Sequence, residues 1–148
     1  MKKEFIRVRS VKDIVIFTSI IILGCTLIAL PTGTGVNITG FFLIFAGLIL
    51  TMVLRTGHKD TETGDSYYKK EVYFQQAMYS DVLDAVKSNP SSIDLSQKDK
   101  GSALKVDIYF SKATGKAYVR MFECVPYKYQ PCSDMYEYGV NNVTELIK

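Results

Sequence analysis

An uncharged stretch of 41 residues, from Ile14 to Leu54, limits what this chain can fold into more than any other feature. The short segment Pro31–Gly35 divides it into apolar runs of 17 and 19 residues, Ile14–Leu30 and Val36–Leu54. At about 1.5 Å per residue, a helix of either length approaches the roughly 30 Å hydrocarbon thickness of a bilayer. Backbone groups in lipid must be paired internally, which a helix achieves by itself. We therefore expect two transmembrane helices joined by a tight turn.

Composition divides the chain into four parts. Residues 1–13 form a basic head with five Lys/Arg and two acidic residues, and residues 14–54 form the hairpin. Residues 55–65 are polar and are expected to be a linker. Residues 66–148 carry 11 Lys/Arg and 10 Asp/Glu, and they are long enough for one small domain. Since the excess positive charge lies in the head and not in the domain, nucleic acid is not an expected partner.

The distribution of Lys and Arg also predicts the orientation of the hairpin. Cytoplasmic flanks of membrane helices carry an excess of these residues. The head supplies five, and Arg55, Lys59, Lys69 and Lys70 follow the second run, whereas Pro31–Gly35 supplies none. We expect a multi-pass protein of a bacterial inner (plasma) membrane, in contact with the lipid bilayer and with both termini in the cytoplasm.

Two processing signals compete with this interpretation. A charged head followed by an apolar run also begins a secretory signal peptide. Residues Ile22-Leu23-Gly24-Cys25 resemble the lipobox of bacterial lipoproteins, in which the cysteine is lipidated and becomes the mature N-terminus. However, the apolar run continues after Cys25, where a lipoprotein normally turns polar. Whether Cys25 is lipidated stays open, and the second run would deliver the domain to the cytoplasm in either case.

The pattern of residues 66–148 predicts a small α+β domain with an antiparallel sheet, following the two-helix membrane hairpin. A helix is expected at Ser80–Pro90, where an apolar stripe ends at proline. Apolar residues alternate from Leu104 to Phe110, which indicates a strand, and a turn at Gly115 leads to a second strand, Lys116–Val125. Tyr67–Gln76 favours a strand over a helix. A tighter hairpin or ordered loop over Tyr127–Tyr138 and a short helix at Asn142–Ile147 complete the prediction.

All ten tyrosines lie in this domain, which is more than a core of its size is expected to hide. They favour either a tyrosine-rich core or an aromatic contact surface, because tyrosine is enriched at interfaces. The candidate interaction surface consists of Tyr118, Phe122, Tyr127, Tyr129, Tyr136 and Tyr138. Whether these residues form core or surface cannot be decided from the sequence.

Motifs for catalysis are not found. His58, the only histidine, lies in the expected linker, and no nucleotide-binding loop or paired Cys-x-x-Cys occurs. We therefore predict no catalytic, cofactor-binding or metal-binding residues and no cofactor, and we expect a non-enzymatic module that binds a protein partner or associates with itself. The alternatives are a membrane-bound enzyme or small-ligand receptor with a tyrosine-lined pocket, and a small structural subunit of a larger membrane complex.

Overall fold

A computed structural model describes residues 3–148. These residues form two compact units. The helical unit comprises residues 7–57, and the sheet unit combines residues 3–6 with residues 58–148. The prediction of two long apolar helices near the N-terminus, followed by a small antiparallel sheet domain, is confirmed at this level.

The helical unit contains α1 (Val11–Ala29) and α2 (Thr34–Val53). Both helices are long and apolar enough to cross a membrane, as judged by length and composition. Helix α1 begins with a capping box, in which the Ser10 hydroxyl accepts from the Asp13 N–H and the Asp13 carboxylate accepts from the Ser10 N–H.

The Asp13 carboxylate also joins the two chain ends of the helical unit. It is buried, and it accepts hydrogen bonds from the Thr56 N–H at 2.8 Å and the Thr56 hydroxyl at 2.6 Å. Each buried oxygen therefore has a donor, as a buried charge requires.

Glycines allow α1 and α2 to pack closely. A Cβ added at Gly24 would lie 2.7 Å from the Gly40 carbonyl oxygen, and a Cβ at Gly40 would lie 2.7 Å from the Gly24 oxygen. A Cβ at Gly47 would meet the Ile21 side chain at 2.5 Å. Small residues that let two backbones approach are typical of helix packing in membranes.

The sheet unit is built around seven strands with two helices. The strands are β1 (Phe5–Val8), β2 (Gly57–Asp60), β3 (Ser66–Phe74), β4 (Leu104–Ser111), β5 (Lys116–Val125), β6 (Lys128–Pro131) and β7 (Tyr136–Gly139), and the helices are α3 (Tyr79–Ser88) and α4 (Thr144–Ile147). The strand order is β1-β2-β3-β4-β5-β6, and β7 pairs with the first half of β5. The predicted β4 and β5 are present, and Gly115 between them adopts the positive φ of 69° that such a turn favours.

The two faces of the sheet differ in what covers them. On the helix-covered face, alternate residues of β3, β4 and β5 pack against α3 and α4; the fully buried members are Val72, Phe74, Val82, Val86, Leu104, Val106, Ile108, Ala117, Val119, Met121, Val143 and Leu146. The opposite face, here called the polar face, carries Tyr118, Arg120 and Phe122 of β5. This is the alternation expected from the sequence of β5.

Two segments adopt strand structure where none was expected. The expected linker contains β2, in which His58 pairs with Tyr67 and Lys59 with Ser66. The head contains β1, and the Glu4 carbonyl accepts from the Thr61 N–H at 3.1 Å. Both strands have only four residues, and β2 contains no apolar side chain, so neither shows the apolar alternation that would reveal a strand in the sequence.

Candidate interaction surface

The six residues predicted to form one contact surface lie at three places in the sheet unit. Tyr118 is buried on the polar face near β1, Tyr136 and Tyr138 lie on the helix-covered face, and Phe122, Tyr127 and Tyr129 lie where β5 meets β6. Of the six, Phe122 and Tyr129 are brought together around Lys105, whereas Tyr127 lies in the adjacent turn and is fully exposed.

Tyr118 belongs to an aromatic cluster that holds the N-terminal strand. The Phe5 ring stacks on Tyr109, with centroids 4.2 Å apart and planes within 6°, and it meets Tyr67 edge-on at 5.2 Å and Tyr118 at 5.7 Å. Met135 completes the cluster. Because Tyr67, Tyr109 and Tyr118 lie on three successive strands, one phenylalanine of the head joins β3, β4 and β5. Phe5 is the only aromatic residue in the head, and this is the one feature of the sequence that could have indicated that the head packs on the domain.

Lys3 reinforces this attachment. Its ammonium group forms an ion pair with the buried Asp60 carboxylate and lies 5.2 Å from the centre of the Tyr118 ring. Burial raises the pKa of Asp60, but hydrogen bonds from Lys3 and the Glu62 N–H outweigh burial and lower the pKa below its ordinary value. Burial and a hydrogen bond to Glu137 raise the pKa of Tyr118 to about 12. The Tyr118 side chain is buried in this cluster, so it is part of a core and is not accessible to a partner.

Tyr136 and Tyr138 contribute to packing under the helices. Strand β7 places them opposite Val119 and Ala117 of β5, and both rings pack against the main core. The Tyr138 hydroxyl donates to the carbonyl of Val86 in α3 at 2.6 Å, so it ties β7 to that helix. Both rings are half-buried, and a tyrosine ring packed on the core with its hydroxyl hydrogen-bonded, as in Tyr138, is a usual structural role of this residue.

Phe122 and Tyr129 enclose a lysine on the polar face. The Lys105 ammonium lies 4.6 Å from the Phe122 centroid and 5.0 Å from the Tyr129 centroid. The Arg120 guanidinium also contacts Phe122, at 5.6 Å, and Tyr73 lies 6.2 Å from Tyr129. These cation–π contacts order the side chains but leave both rings half exposed.

A network of four charges lies next to these rings. Glu71 and Asp107 are direct cross-strand neighbours, an arrangement that repels by itself. Lys69 bridges them, at 2.5 Å from Glu71 and 2.8 Å from Asp107, and Lys105 does so from the other side at 3.9 and 3.3 Å. Each carboxylate therefore has two cationic neighbours.

The network keeps the Glu71 carboxylate ionised. Burial raises the pKa of Glu71, but hydrogen bonds from Lys69 and Tyr73 outweigh burial and lower the pKa to about 2. Burial likewise lowers the pKa of Lys69, while its bonds to Asp107 and Glu71 raise it above the ordinary value. A general acid or base works best with a pKa near the working pH, so this chemistry favours a fixed charged surface over proton transfer.

Tyr127 is the most exposed large side chain of the sheet unit. It follows Pro126 in the two-residue turn between β5 and β6, and its φ is +71°. A tyrosine with a positive φ is uncommon, since residues with a Cβ are disfavoured there. This residue combines full exposure with an unfavourable backbone conformation.

Two depressions mark the surface of the sheet unit. The first, of about 410 Å³, is open, and it is lined by Tyr73, Asp99, Lys100, Gly101 and Ser102. The second, of about 280 Å³, lies at the start of α3 and is lined by Met78, Asp81, Val82, Ser92, Ile93 and Asp94. Among residues 3–148, no group of three or more His, Cys, Asp or Glu side chains is placed to hold a metal ion.

Comparison of the chain with protein-family models, with curated proteins and with solved structures finds no match.

Proposed function

We propose that the chain is a membrane-anchored, non-enzymatic interaction module. In this proposal α1 and α2 cross the inner (plasma) membrane as a hairpin with both termini in the cytoplasm, and the sheet unit contacts a protein partner close to the membrane surface. The uncharged helices and the flanking Lys and Arg residues support the membrane position and the orientation.

The observation that carries the proposal is the position of the helices in the sequence, between the two segments that form the sheet unit. Residues 3–6 and residues 58–148 belong to one compact unit, so they must lie on the same side of any membrane that the helices cross. Two crossings satisfy this requirement, whereas one does not. The connections support close anchoring, because only two residues separate β1 from α1 and three separate α2 from β2. At no more than about 3.6 Å per residue, neither connection spans more than roughly 15 Å.

The same observation argues against processing before Cys25. Cleavage there would remove Lys3 and Phe5, and with them the ion pair to Asp60 and the ring that joins three strands. The sheet unit would lose a strand and part of a core, so we expect the uncleaved chain to be the functional form.

Cysteine labelling tests the membrane topology. In a chain whose native cysteines are replaced by serine, Thr34→Cys should react with an impermeant reagent added to intact cells. Ser92→Cys should react only after the membrane is permeabilised. Labelling of Ser92→Cys in intact cells, or extraction of the protein by alkaline carbonate, would contradict the proposal.

Capture of partners tests the interaction role. The tagged protein, solubilised gently from membranes, should retain a protein partner or a second copy. Replacing residues 11–53 with an unrelated two-helix hairpin should keep that partner if the sheet unit makes the contact. Loss of the partner on this exchange would assign the contact to the helices and overturn the proposed role of the sheet unit.

A further inference from the structure

The turn between β5 and β6, here called the Tyr127 tip (Val125–Lys128), exposes apolar groups at one end of the sheet. Val125, Pro126 and the Tyr127 ring are all exposed. Tyr127 follows Pro126 with a φ of +71°, at a turn position where glycine is strongly preferred. The chain therefore holds a fully exposed ring on an unfavourable backbone, and strain that is observed at such a site is a pointer to function.

The strands that lead to the two long helices leave the sheet in the direction of this tip. Across the sheet, Gly57 at the start of β2 is level with Tyr68 of β3 and with Ala117 of β5. From that level β5 runs to Val125 in the same direction that the chain takes from Gly57 back towards α2. Strand β1 ends beside the start of β2, since a Cβ added at Gly57 would lie 3.1 Å from the Val8 carbonyl oxygen. Both connections to the helices therefore depart towards the end of the sheet that carries the Tyr127 tip.

The lengths of these segments bring the tip within reach of a membrane that the helices cross. Val125 lies eight residues beyond Ala117 on β5, which corresponds to about 26 Å of strand. Each connection spans at most roughly 15 Å, and Ser10 and Leu54 within them have extended backbones. In the proposed topology, the tip therefore meets the membrane surface unless the strands are strongly inclined to the membrane normal.

The tip also has the chemistry of the membrane–water interface. Tyrosine is enriched there because its ring is apolar and its hydroxyl is polar, and nearby lysines are attracted to lipid phosphates. Lys128 is exposed and forms no salt bridge within residues 3–148. The adjoining segment Lys98–Ser102 carries two further lysines and one aspartate, and the Tyr129 hydroxyl joins it to β6 by donating to the Ser102 carbonyl at 2.7 Å.

The opposite end of the sheet lacks this composition. Its strand connections, residues 61–65 and 112–115, contain no aromatic and no large apolar residue. They carry one lysine, Lys112, and two acidic residues, Glu62 and Asp65. The exposed ring and the excess of lysine therefore occur together only at the end towards which the connections depart.

We infer that the Tyr127 tip inserts its ring into the headgroup region of the membrane that the helices cross, with Lys128 beside the lipid phosphates. The occupant of this surface is a lipid bilayer, and the contact is a third attachment of the sheet unit besides its two short connections. It restricts rotation of the sheet unit about those connections, so that the same surfaces are always presented to a protein partner. This inference rests on the proposed membrane anchoring and extends it.

Single tryptophans test the insertion, because the chain has none of its own. Tyr127→Trp keeps an aromatic ring at the same position. In the full chain reconstituted into vesicles of phosphatidylcholine and phosphatidylglycerol, its emission should lie at a shorter wavelength than that of indole in water. Phospholipids brominated on the upper part of their acyl chains should quench it. Ala113→Trp, in the exposed turn at the opposite end of the sheet, is the matched control and should show neither effect.

A third variant separates failure of this inference from failure of the anchoring. Phe42→Trp lies near the middle of α2 at an exposed position and should be quenched by bromine deep in the bilayer. Quenching of Phe42→Trp without quenching of Tyr127→Trp would overturn the inference and leave the anchoring intact, even if the Tyr127→Trp emission shifts, since the ring would then be covered by protein. Absence of quenching in Phe42→Trp would overturn the anchoring and this inference with it.

A charge reversal tests the position of Lys128. Added to Tyr127→Trp, Lys128→Glu should reduce the quenching in vesicles that contain phosphatidylglycerol, because a carboxylate is repelled by anionic headgroups. Lys112→Glu in the same background is the control and should leave the quenching unchanged. Equal quenching in the two double variants would contradict the placement of Lys128 beside the lipid phosphates.

Discussion

The attachment of the N-terminal strand predicts a large effect of one substitution far from the domain in sequence, Phe5→Ala. The Phe5 ring is mostly buried and contacts three tyrosine rings. Burial of a phenylalanine contributes about 1.5–3 kcal/mol, and each aromatic pair adds about 0.5–1.5 kcal/mol. Allowing for its partial exposure, we expect Phe5→Ala to lower the free energy of unfolding of the sheet unit by about 2–4 kcal/mol.

The assay uses a property of the sequence. All ten tyrosines lie between Tyr67 and Tyr138 and the chain has no tryptophan, so the tyrosine band of the near-ultraviolet circular dichroism, at longer wavelength than the phenylalanine bands, reports the sheet unit in the full chain in detergent. For a unit of just under 100 residues, 1 kcal/mol shifts the melting temperature by roughly 4–8 °C. Phe5→Ala should therefore lower that temperature by roughly 8–32 °C.

Ile6→Ala is the matched control, since Ile6 is on the same strand but half exposed. It should shift the melting temperature by only a few degrees, because surface substitutions usually change stability by about 0.5 kcal/mol or less. Equal effects of the two substitutions, or a melting temperature unchanged by Phe5→Ala, would refute the assignment of residues 3–6 to the sheet unit.

Three further predictions follow from the buried core, the charge network and the helix contact. Ile108→Asp should prevent the sheet unit from folding, because an unpaired carboxylate in the core costs several kcal/mol, and an unchanged cooperative melt would contradict the register of β4. The pKa of Glu71 falls from 4.5 to about 2 on folding, so its stabilising effect is present above pH 4.5 and is lost as the pH falls towards 2. When the melting temperature is measured as a function of pH, Glu71→Gln should therefore lose less stability between pH 4.5 and 2 than the unchanged protein. Gly40→Leu should weaken the packing of α1 on α2 by about 1–3 kcal/mol, so the helical circular dichroism in detergent should be lost at a lower temperature. Gly35→Leu is the control and should leave that temperature unchanged, because a Cβ added at Gly35 has no atom within 4 Å.

The strongly periodic elements of the fold could be predicted from the sequence. The apolar runs that became α1 and α2 exceed what a small soluble core contains, and the alternation in β4 and β5 identified their buried faces. The short strands β1 and β2 could not be predicted in this way. Each has only four residues, too few for an alternating pattern to stand out, and they are stabilised by pairing of β1 with β2 and of β2 with β3, which depends on contacts distant in sequence.

The candidate surface shows the same limit. Tyrosine content indicated that some rings are exposed, but it did not indicate which ones. Tyr118 points to the face expected for it. It is nevertheless buried, because Phe5, which precedes both long helices in the sequence, covers it. Tyr127 is exposed because it lies in a turn, and Pro126 before it was the only local signal.

Division of the sheet unit by the helical hairpin also determines when this unit can be completed during synthesis. Strand β1 leaves the ribosome first, but its ring partner Tyr118 follows 113 residues later. At roughly 5–20 residues per second this is a delay of roughly 6–20 s. Both helices are made within that interval. If they cross a membrane as proposed, the N-terminal strand finds its partners only when the second helix has returned the chain to the side on which β1 lies. A chain inserted with its ends on opposite sides of the membrane would leave Tyr67, Tyr109 and Tyr118 uncovered, and we expect such chains to be removed by proteases. Under the proposed topology, completion of the sheet would therefore act as a check on correct insertion.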